Sequence, residues 1–289
     1  MNEARGRIRD FVSLLKPRVT LLVVATAAAG MGSAAPRPDL PHALAILFAI
    51  GLLAGSANAL NCWVERDSDR HMTRTRHRAL PAGRLTSMQG LVFGVLVGTV
   101  ALATLVPLTQ PLTAGLGALA LGSYVLLYTP LKRVTPWALH VGAIPGALPA
   151  LMGRTAVTGV IDAVGLALFA VLLVWQVPHF LAIAIRRRDE YARAGLRVAP
   201  VVQGERSARM QAFVTTSALV PVSLVLAWLG AAGRVFALTA LLLGLGLLAI
   251  AGRGLHPAAG RRWATALFGS SIVYLTLYVG VFLADVQVE

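Results

Sequence analysis

The chain has 289 residues, 57% hydrophobic and 13% charged, whereas a soluble domain carries roughly 25% charged residues; it is read as an integral membrane protein. The net charge of +14 would suggest nucleic acid in a soluble chain, but in a membrane protein it follows from the excess of Lys and Arg on cytoplasmic loops, so no nucleic-acid partner is expected. The lone Cys62 excludes an intrachain disulfide and a multi-cysteine metal site.

The basic N-terminal sixteen residues run straight into an apolar span without a small-residue cleavage site, so no cleavable leader is expected. A span needs about 20 apolar residues. About nine are placed, near 18–35, 43–64, 87–107, 111–130, 137–154, 160–184, 211–230, 235–251 and 263–284. Their even spacing predicts an all-α, polytopic membrane protein, residues 1–289 forming one domain. With the N-terminus inside, the cytoplasmic segments 1–18, 65–86, 131–136, 185–210 and 252–262 hold five, six, two, seven and three basic residues, leaving only Arg37, Arg154 and Arg234 outside. That asymmetry predicts a multi-pass plasma-membrane protein with a cytoplasmic N-terminus and an outer C-terminus.

The second span runs into the stretch Asn58–Arg84, NALNCWVERDSDRHMTRTRHRALPAGR. On a helix, Asn61, Glu65 and Asp69 fall at i, i+4 and i+8 and share one face, with Asn58 one turn earlier. Carboxylates this close repel unless a cation or protons neutralise them. Oxygen ligands suit Mg²⁺, which takes one or two carboxylates plus substrate phosphates, and Arg74, Arg76 and Arg78 add anion-binding capacity. The spacing alone is equally compatible with a solvated helix end or a stop-transfer cluster.

The fourth span ends in YTPLKRVT, where Tyr128, Lys132 and Arg133 lie near one helix end. They are read either as diphosphate contacts or as cations snorkelling to the interface; Lys16 and Arg18 at the first span are equally ambiguous. The fifth span, with Gly142, Pro145, Gly146, Pro149 and Gly153, is predicted to be irregular and closely packed. Its isolated His140 is read as structural or substrate-lining.

The sixth span carries Trp175, Gln176, Pro178 and His179, then Arg186–Arg188 with Asp189 and Glu190 directly after. Pro178 predicts a kink. His179 is open to three roles (metal ligand, substrate contact, proton relay) or to a plain interhelical hydrogen bond. Asp189 and Glu190 either form a second metal site or pair with the arginines. The five Trp residues fall mostly near span ends and are read as interface anchors. The two long inner loops, four spans apart, hint at a pseudo-repeat with two acidic sites across a cavity.

The run Asn61-x3-Glu65-x-Asp67-x-Asp69 followed by MTRTRHRALPAGR resembles the first aspartate-rich motif of the UbiA-type intramembrane prenyltransferases. Lys16-Pro17-Arg18, Tyr128 to Arg133, and the stretch from Trp175 through Asp189, Tyr191 and Ala194-Gly195 resemble, in order, the subgroup that farnesylates haem. The resemblance implies nine transmembrane helices around a cavity open to the cytoplasm and laterally to lipid, farnesyl diphosphate as donor, haem B as acceptor and Mg²⁺ as cofactor. It implies that Asn61, Glu65 and Asp69, with Asp67 nearby, hold Mg²⁺–diphosphate. Asp189, beside Glu190, belongs to the second acidic motif, and Arg18, Arg66, Arg74, Arg78, Lys132 and Arg133 face the diphosphate. His179 is assigned to haem, and haem A synthase or an oxidase-assembly factor is an expected partner. The sequence departs from the subgroup at Ala79, Ala138, Ala150 and Arg154, which bears on the acceptor pocket rather than on the diphosphate residues. Rival readings are a UbiA-type enzyme acting on a quinone precursor or chlorophyll-like acceptor, and an ion-coupled transporter. Acidic residues at the rim rather than at mid-membrane argue against the transporter.

Overall fold

The computed structural model describes residues 2–286, which contain no β-strand and only one isolated bridge, Ala232 to Val286. Helices α1 (Asn2–Leu14) and α2 (Pro17–Gly32) meet at a 47° elbow. Pro17 suits the first turn of α2, where its missing N–H costs nothing. Lys16 before it has φ 47°, the only non-glycine in the left-handed region among the described residues.

Helix α3 (Leu40–Asp69) has 30 residues, about 45 Å at 1.5 Å per residue. The hydrocarbon core is only about 30 Å thick, so the last turns of α3 can carry polar groups outside it. A capping box starts α4 (Ser87–Leu108): Gln89 N–H donates to Thr86 Oγ1 at 3.2 Å and Thr86 N–H to Gln89 Oε1 at 3.0 Å. Then α5 (Pro111–Gly122) passes through a π-helical stretch, Ser123–Tyr128, into the short α6 (Thr129–Leu131). The remaining helices are α7 (Ala138–Thr158), α8 (Ala163–Arg186), α9 (Arg188–Arg193), α10 (Ala199–Val202), α11 (Gly204–Trp228), α12 (Arg234–Arg253) and α13 (Arg261–Asp285).

All nine predicted segments are helical. Seven helices are long and apolar enough to cross a membrane, and the bent α1–α2 pair makes an eighth if counted as one span. The remaining predicted span is α7, which carries Pro145 and Pro149 and is mostly buried between its neighbours. Pro178 sits inside α8 without ending it.

Neighbours in sequence pack against each other from α3 to α13, and α13 touches α2, closing the ring; α2 also packs on α7 and α8 on α13. The α2–α7 pair is unusually close. A Cβ on Gly30 would strike the Ala150 carbonyl, and one on Gly153 the Ala27 carbonyl; small residues at a crossing permit such approach. One core, with Phe236, Tyr274, Tyr278 and Phe282, fills α7, α8 and α11–α13, and a second, with Ile46, Ile50, Leu105 and Met152, fills α2–α5 and α7. A third, with Leu14, Cys62, Ala79, Leu80 and Leu85, lies beneath the loop after α3. Ala79, one of the positions expected to depart from the subgroup, is fully buried there.

One end of the bundle gathers the polar loops. Arg84 pairs with Asp10 at 2.9 Å, Arg197 N–H donates to the Lys132 carbonyl at 2.7 Å, and Arg261 pairs with Asp189 at 3.0 Å. At the opposite end Arg154 pairs with Asp162 at 2.6 Å and donates to the Ser33 carbonyl and Oγ, joining the ends of α2, α7 and α8.

Candidate active site

The end of α3 keeps its polar stripe inside the protein. Asn61 is 2% and Asp69 1% exposed, so neither side chain faces lipid. Each residue of the stripe is held by a cation from a different element. Lys16 Nζ donates to Asn61 Oδ1 at 3.0 Å, Lys132 Nζ to Glu65 Oε1 at 2.8 Å, and Arg78 Nη1 to Asp69 Oδ2 at 2.7 Å. The bent α1–α2 elbow delivers Lys16, the π-helical end of α5 delivers Lys132, and the turns after α3 return Arg78. Two distant segments and the turns directly after α3 thus converge on the end of that helix.

The orientation of Asn61 is fixed by proton accounting. The Thr129 hydroxyl donates to the Tyr124 carbonyl at 2.8 Å, so it accepts from Asn61 Nδ2 at 3.3 Å, and Oδ1 faces Lys16. The π turn places Tyr124 and Thr129 in this relation; such turns recur at functional sites. Lys132 Nζ also lies 4.2 Å from the Tyr128 ring centroid, and Gly142 makes room for that ring, since a Cβ there would strike it. Burial alone would lower the Lys132 ammonium, but Tyr128 and Glu65 outweigh it and hold it well above the ordinary lysine value. Burial likewise opposes the charge on Arg78, and the Asp69 carboxylate more than restores it. Both cations therefore stay charged at neutral pH.

Asp69 Oδ1 is buried without a hydrogen-bond partner. Among the described residues no three His, Cys, Asp or Glu side chains converge to hold a metal by themselves. Two carboxylates and an amide oxygen nevertheless fit Mg²⁺, which takes part of its shell from substrate phosphates and water, and the orphaned oxygen is a ready ligand position.

Other expected site residues lie apart. Asp67 is turned outward, 62% exposed, between Arg66 at 3.5 Å and Arg70 at 4.0 Å. Arg66 lies over Trp63. Arg18 and Arg74 are exposed, and Arg133 donates to Ser68 Oγ at 3.2 Å. Asp189 is 67% exposed on Arg261, and Glu190 pairs with Arg187 at 3.1 Å. The second loop does reach the first cluster by other means, through the Arg197–Lys132 backbone bond and through Tyr191. Burial raises the Tyr191 hydroxyl, with Tyr128 adding to the effect and Lys132 and Arg74 opposing it. Asn58 clasps the elbow instead, 3.5 Å from the Leu15 carbonyl and 3.4 Å from Thr20 Oγ1.

His179 makes the interhelical hydrogen bond, Nδ1 to Ser271 Oγ of α13 at 2.8 Å. Trp175 is no interface anchor: its indole N–H donates to the Ser271 carbonyl at 2.7 Å and its ring stacks on His179. A narrow apolar crevice between α2, α7, α8 and α13, lined by Thr26, Ala150, Leu172, Leu275 and Tyr278 among others, lies farther along the same helices. A cavity at the opposite end, beside His42 and Gln110, contains none of the expected site residues.

Residues 22–273 match the UbiA prenyltransferase family. The chain belongs to that family. It is 48% identical over 276 residues to the protoheme IX farnesyltransferase of Anaeromyxobacter sp. (strain Fw109-5), covering 95% of this chain and 93% of the relative. It is 46% identical over 267 residues to the protoheme IX farnesyltransferase of Myxococcus xanthus (strain DK1622), covering 92% and 91%. Among solved structures it is similar to a digeranylgeranylglyceryl phosphate synthase, with TM-score 0.82, 12% identity and 99% of both chains covered. It is also similar to a UbiA homolog from Archaeoglobus fulgidus bound to GPP and Mg²⁺, with TM-score 0.70, 17% identity and 95% and 99% covered. At such identities the solved structures establish the fold. The chain is thus a multi-pass membrane enzyme, a prenyltransferase of the UbiA family.

Proposed function

We propose that the protein transfers a farnesyl group from farnesyl diphosphate to a vinyl group of haem B, giving haem O for haem-copper oxidases. The observation that carries the donor half is the stripe Asn61–Glu65–Asp69, inside the bundle end and ringed by Lys16, Lys132 and Arg78. The acceptor half is supported by relatives at 38–48% identity that are protoheme IX farnesyltransferases.

Asn61, Glu65 and Asp69 would hold Mg²⁺, with Asp189 and Glu190 reaching the site only after leaving their arginines. The ion would supply Lewis-acid stabilisation of the charge that develops on diphosphate. Lys132 and Arg78, partly buried and charged, would exchange their carboxylates for phosphate oxygens, with Arg18, Arg74 and Arg133 at the rim drawing the anion in. The allylic C–O bond breaks and its electron pair leaves with diphosphate. The electron-rich vinyl double bond supplies the pair for the new C–C bond. Water then adds to the cation beside the pyrrole and loses a proton, giving the hydroxyethylfarnesyl substituent. The apolar surroundings must exclude water until that last step. His179 would contact the haem. The excess of Lys and Arg on the loops at that end supports a site that faces the cytoplasm, and the membrane is taken to be the plasma membrane.

The test is expression in a host without its own haem O, followed by pigment extraction. A farnesylated haem peak is expected. Its absence, alongside prenylation of a quinone precursor in an acceptor panel, would replace the acceptor while keeping the donor chemistry.

A further inference from the structure

The polar contact between α8 and α13 contains a proton that can be located. Ser271 is fully buried in the middle of α13. Its hydroxyl donates to the Phe268 carbonyl at 2.7 Å. A serine hydroxyl has one proton, so toward His179 Nδ1, 2.8 Å away, Ser271 Oγ accepts. His179 must therefore carry its hydrogen on Nδ1. In a neutral imidazole the other nitrogen, Nε2, then holds a free lone pair. Nε2 has no hydrogen-bond partner, and it is not among the buried polar atoms left without one.

The ring is also held in place. Trp175 lies 4.9 Å from it at 25° and Phe268 4.9 Å from it at 31°. The Trp175 N–H bond to the Ser271 carbonyl ties this set to α13. Two turns along α8, on the same face, Arg186 sits over the Phe268 ring, 5.1 Å from its centroid. An oriented imidazole lone pair, aromatic surfaces beside it and a cation toward the rim match a planar apolar tetrapyrrole with a central metal and acidic side arms. Metal-binding histidines characteristically donate their second ring N–H to a fixed acceptor.

We infer that Ser271 is a positioning residue: it fixes the tautomer and orientation of His179 so that Nε2 ligates the iron of the tetrapyrrole acceptor. This rests on the haem reading above, but assigns a role to a residue that no sequence motif singled out.

The full chain, purified in lipid nanodiscs, is titrated with ferric haem and separately with metal-free protoporphyrin. Optical and electron paramagnetic resonance spectra report the axial ligand. Wild type is expected to show imidazole ligation. Ser271→Ala should weaken haem binding by about 10–100-fold and lose or alter that signature, while its affinity for metal-free protoporphyrin and farnesyl diphosphate stays unchanged. Ser271→Thr, which keeps the hydroxyl, should restore the signature, and His179→Ala should abolish it. Equal haem spectra and affinities for wild type and Ser271→Ala would overturn the inference. So would an equal loss of iron-containing and metal-free ligand. Haem that binds without imidazole ligation, in an enzyme that still makes farnesylated haem, would overturn this role alone. No haem binding and no farnesylated product would overturn the acceptor reading and this role with it.

Discussion

Asp69 gives one carboxylate oxygen to Arg78, at 2.7 Å, and keeps the other, Oδ1, buried with no partner at all. An unsatisfied buried acceptor costs about 1–3 kcal/mol. That cost is hard to account for in a purely structural ion pair, and the proposed metal position would offset it. Asp69→Ala is therefore expected to lower kcat/KM at least about 100-fold in a protein that still folds. Chelation should abolish product and added Mg²⁺ restore it. Turnover of Asp69→Ala within a few-fold of wild type, measured with farnesyl diphosphate and haem, would remove Asp69 from the site.

Glu65 and Lys132 are 12% and 13% exposed and 2.8 Å apart. Breaking a buried pair strands the remaining charge and costs roughly 3–5 kcal/mol. Glu65→Gln and Lys132→Met are each expected to lower the thermal midpoint in detergent. The double variant should recover part of the loss while remaining inactive, because in the proposed function both groups also serve Mg²⁺–diphosphate. A double-mutant cycle on midpoint and turnover checks the two effects separately.

Asp189 lies on Arg261 at the surface, away from Asp69. If the second motif joins the first when diphosphate binds, the Arg261 contact is dispensable and the carboxylate is not. Asp189→Ala is expected to reduce turnover sharply, and Arg261→Ala to leave it within about twofold of wild type. Equal effects of the two would mean that the surface pair itself matters.

Arg154 forms a latch with Asp162 and Ser33 at the end of the bundle opposite the polar loops. Burial would raise the Asp162 carboxyl, but Arg154 and the Gly165 N–H outweigh it and hold it below its reference value of 3.8. A carboxyl depressed in the folded state contributes stability above its unfolded pKa and loses it as pH falls through the folded value. Asp162→Asn is thus expected to melt below wild type at pH 6–7, by no more than about 1 kcal/mol for a partly exposed pair. The gap should narrow below about pH 4. A gap independent of pH would assign the loss to the α8 cap instead.

The sequence by itself determined the membrane class, the helical segments, the acidic stripe and the family resemblance. Each depends on local composition or on i, i+4 spacing, which need no tertiary information. The stripe was legible because α3 stays helical to Asp69, so Asn61, Glu65 and Asp69 share a face whatever packs around them. Tertiary structure decided which cation meets which ligand. Lys16 is 45 and Lys132 67 positions from its partner, and only the elbow and the π turn bring them in. Asp67, two residues from Glu65, was indistinguishable by type from its neighbours, yet it lies on the opposite face and points outward. Ser271 was illegible: a small polar residue in an apolar span has no local signature, and its role exists only because α13 crosses α8 beside His179.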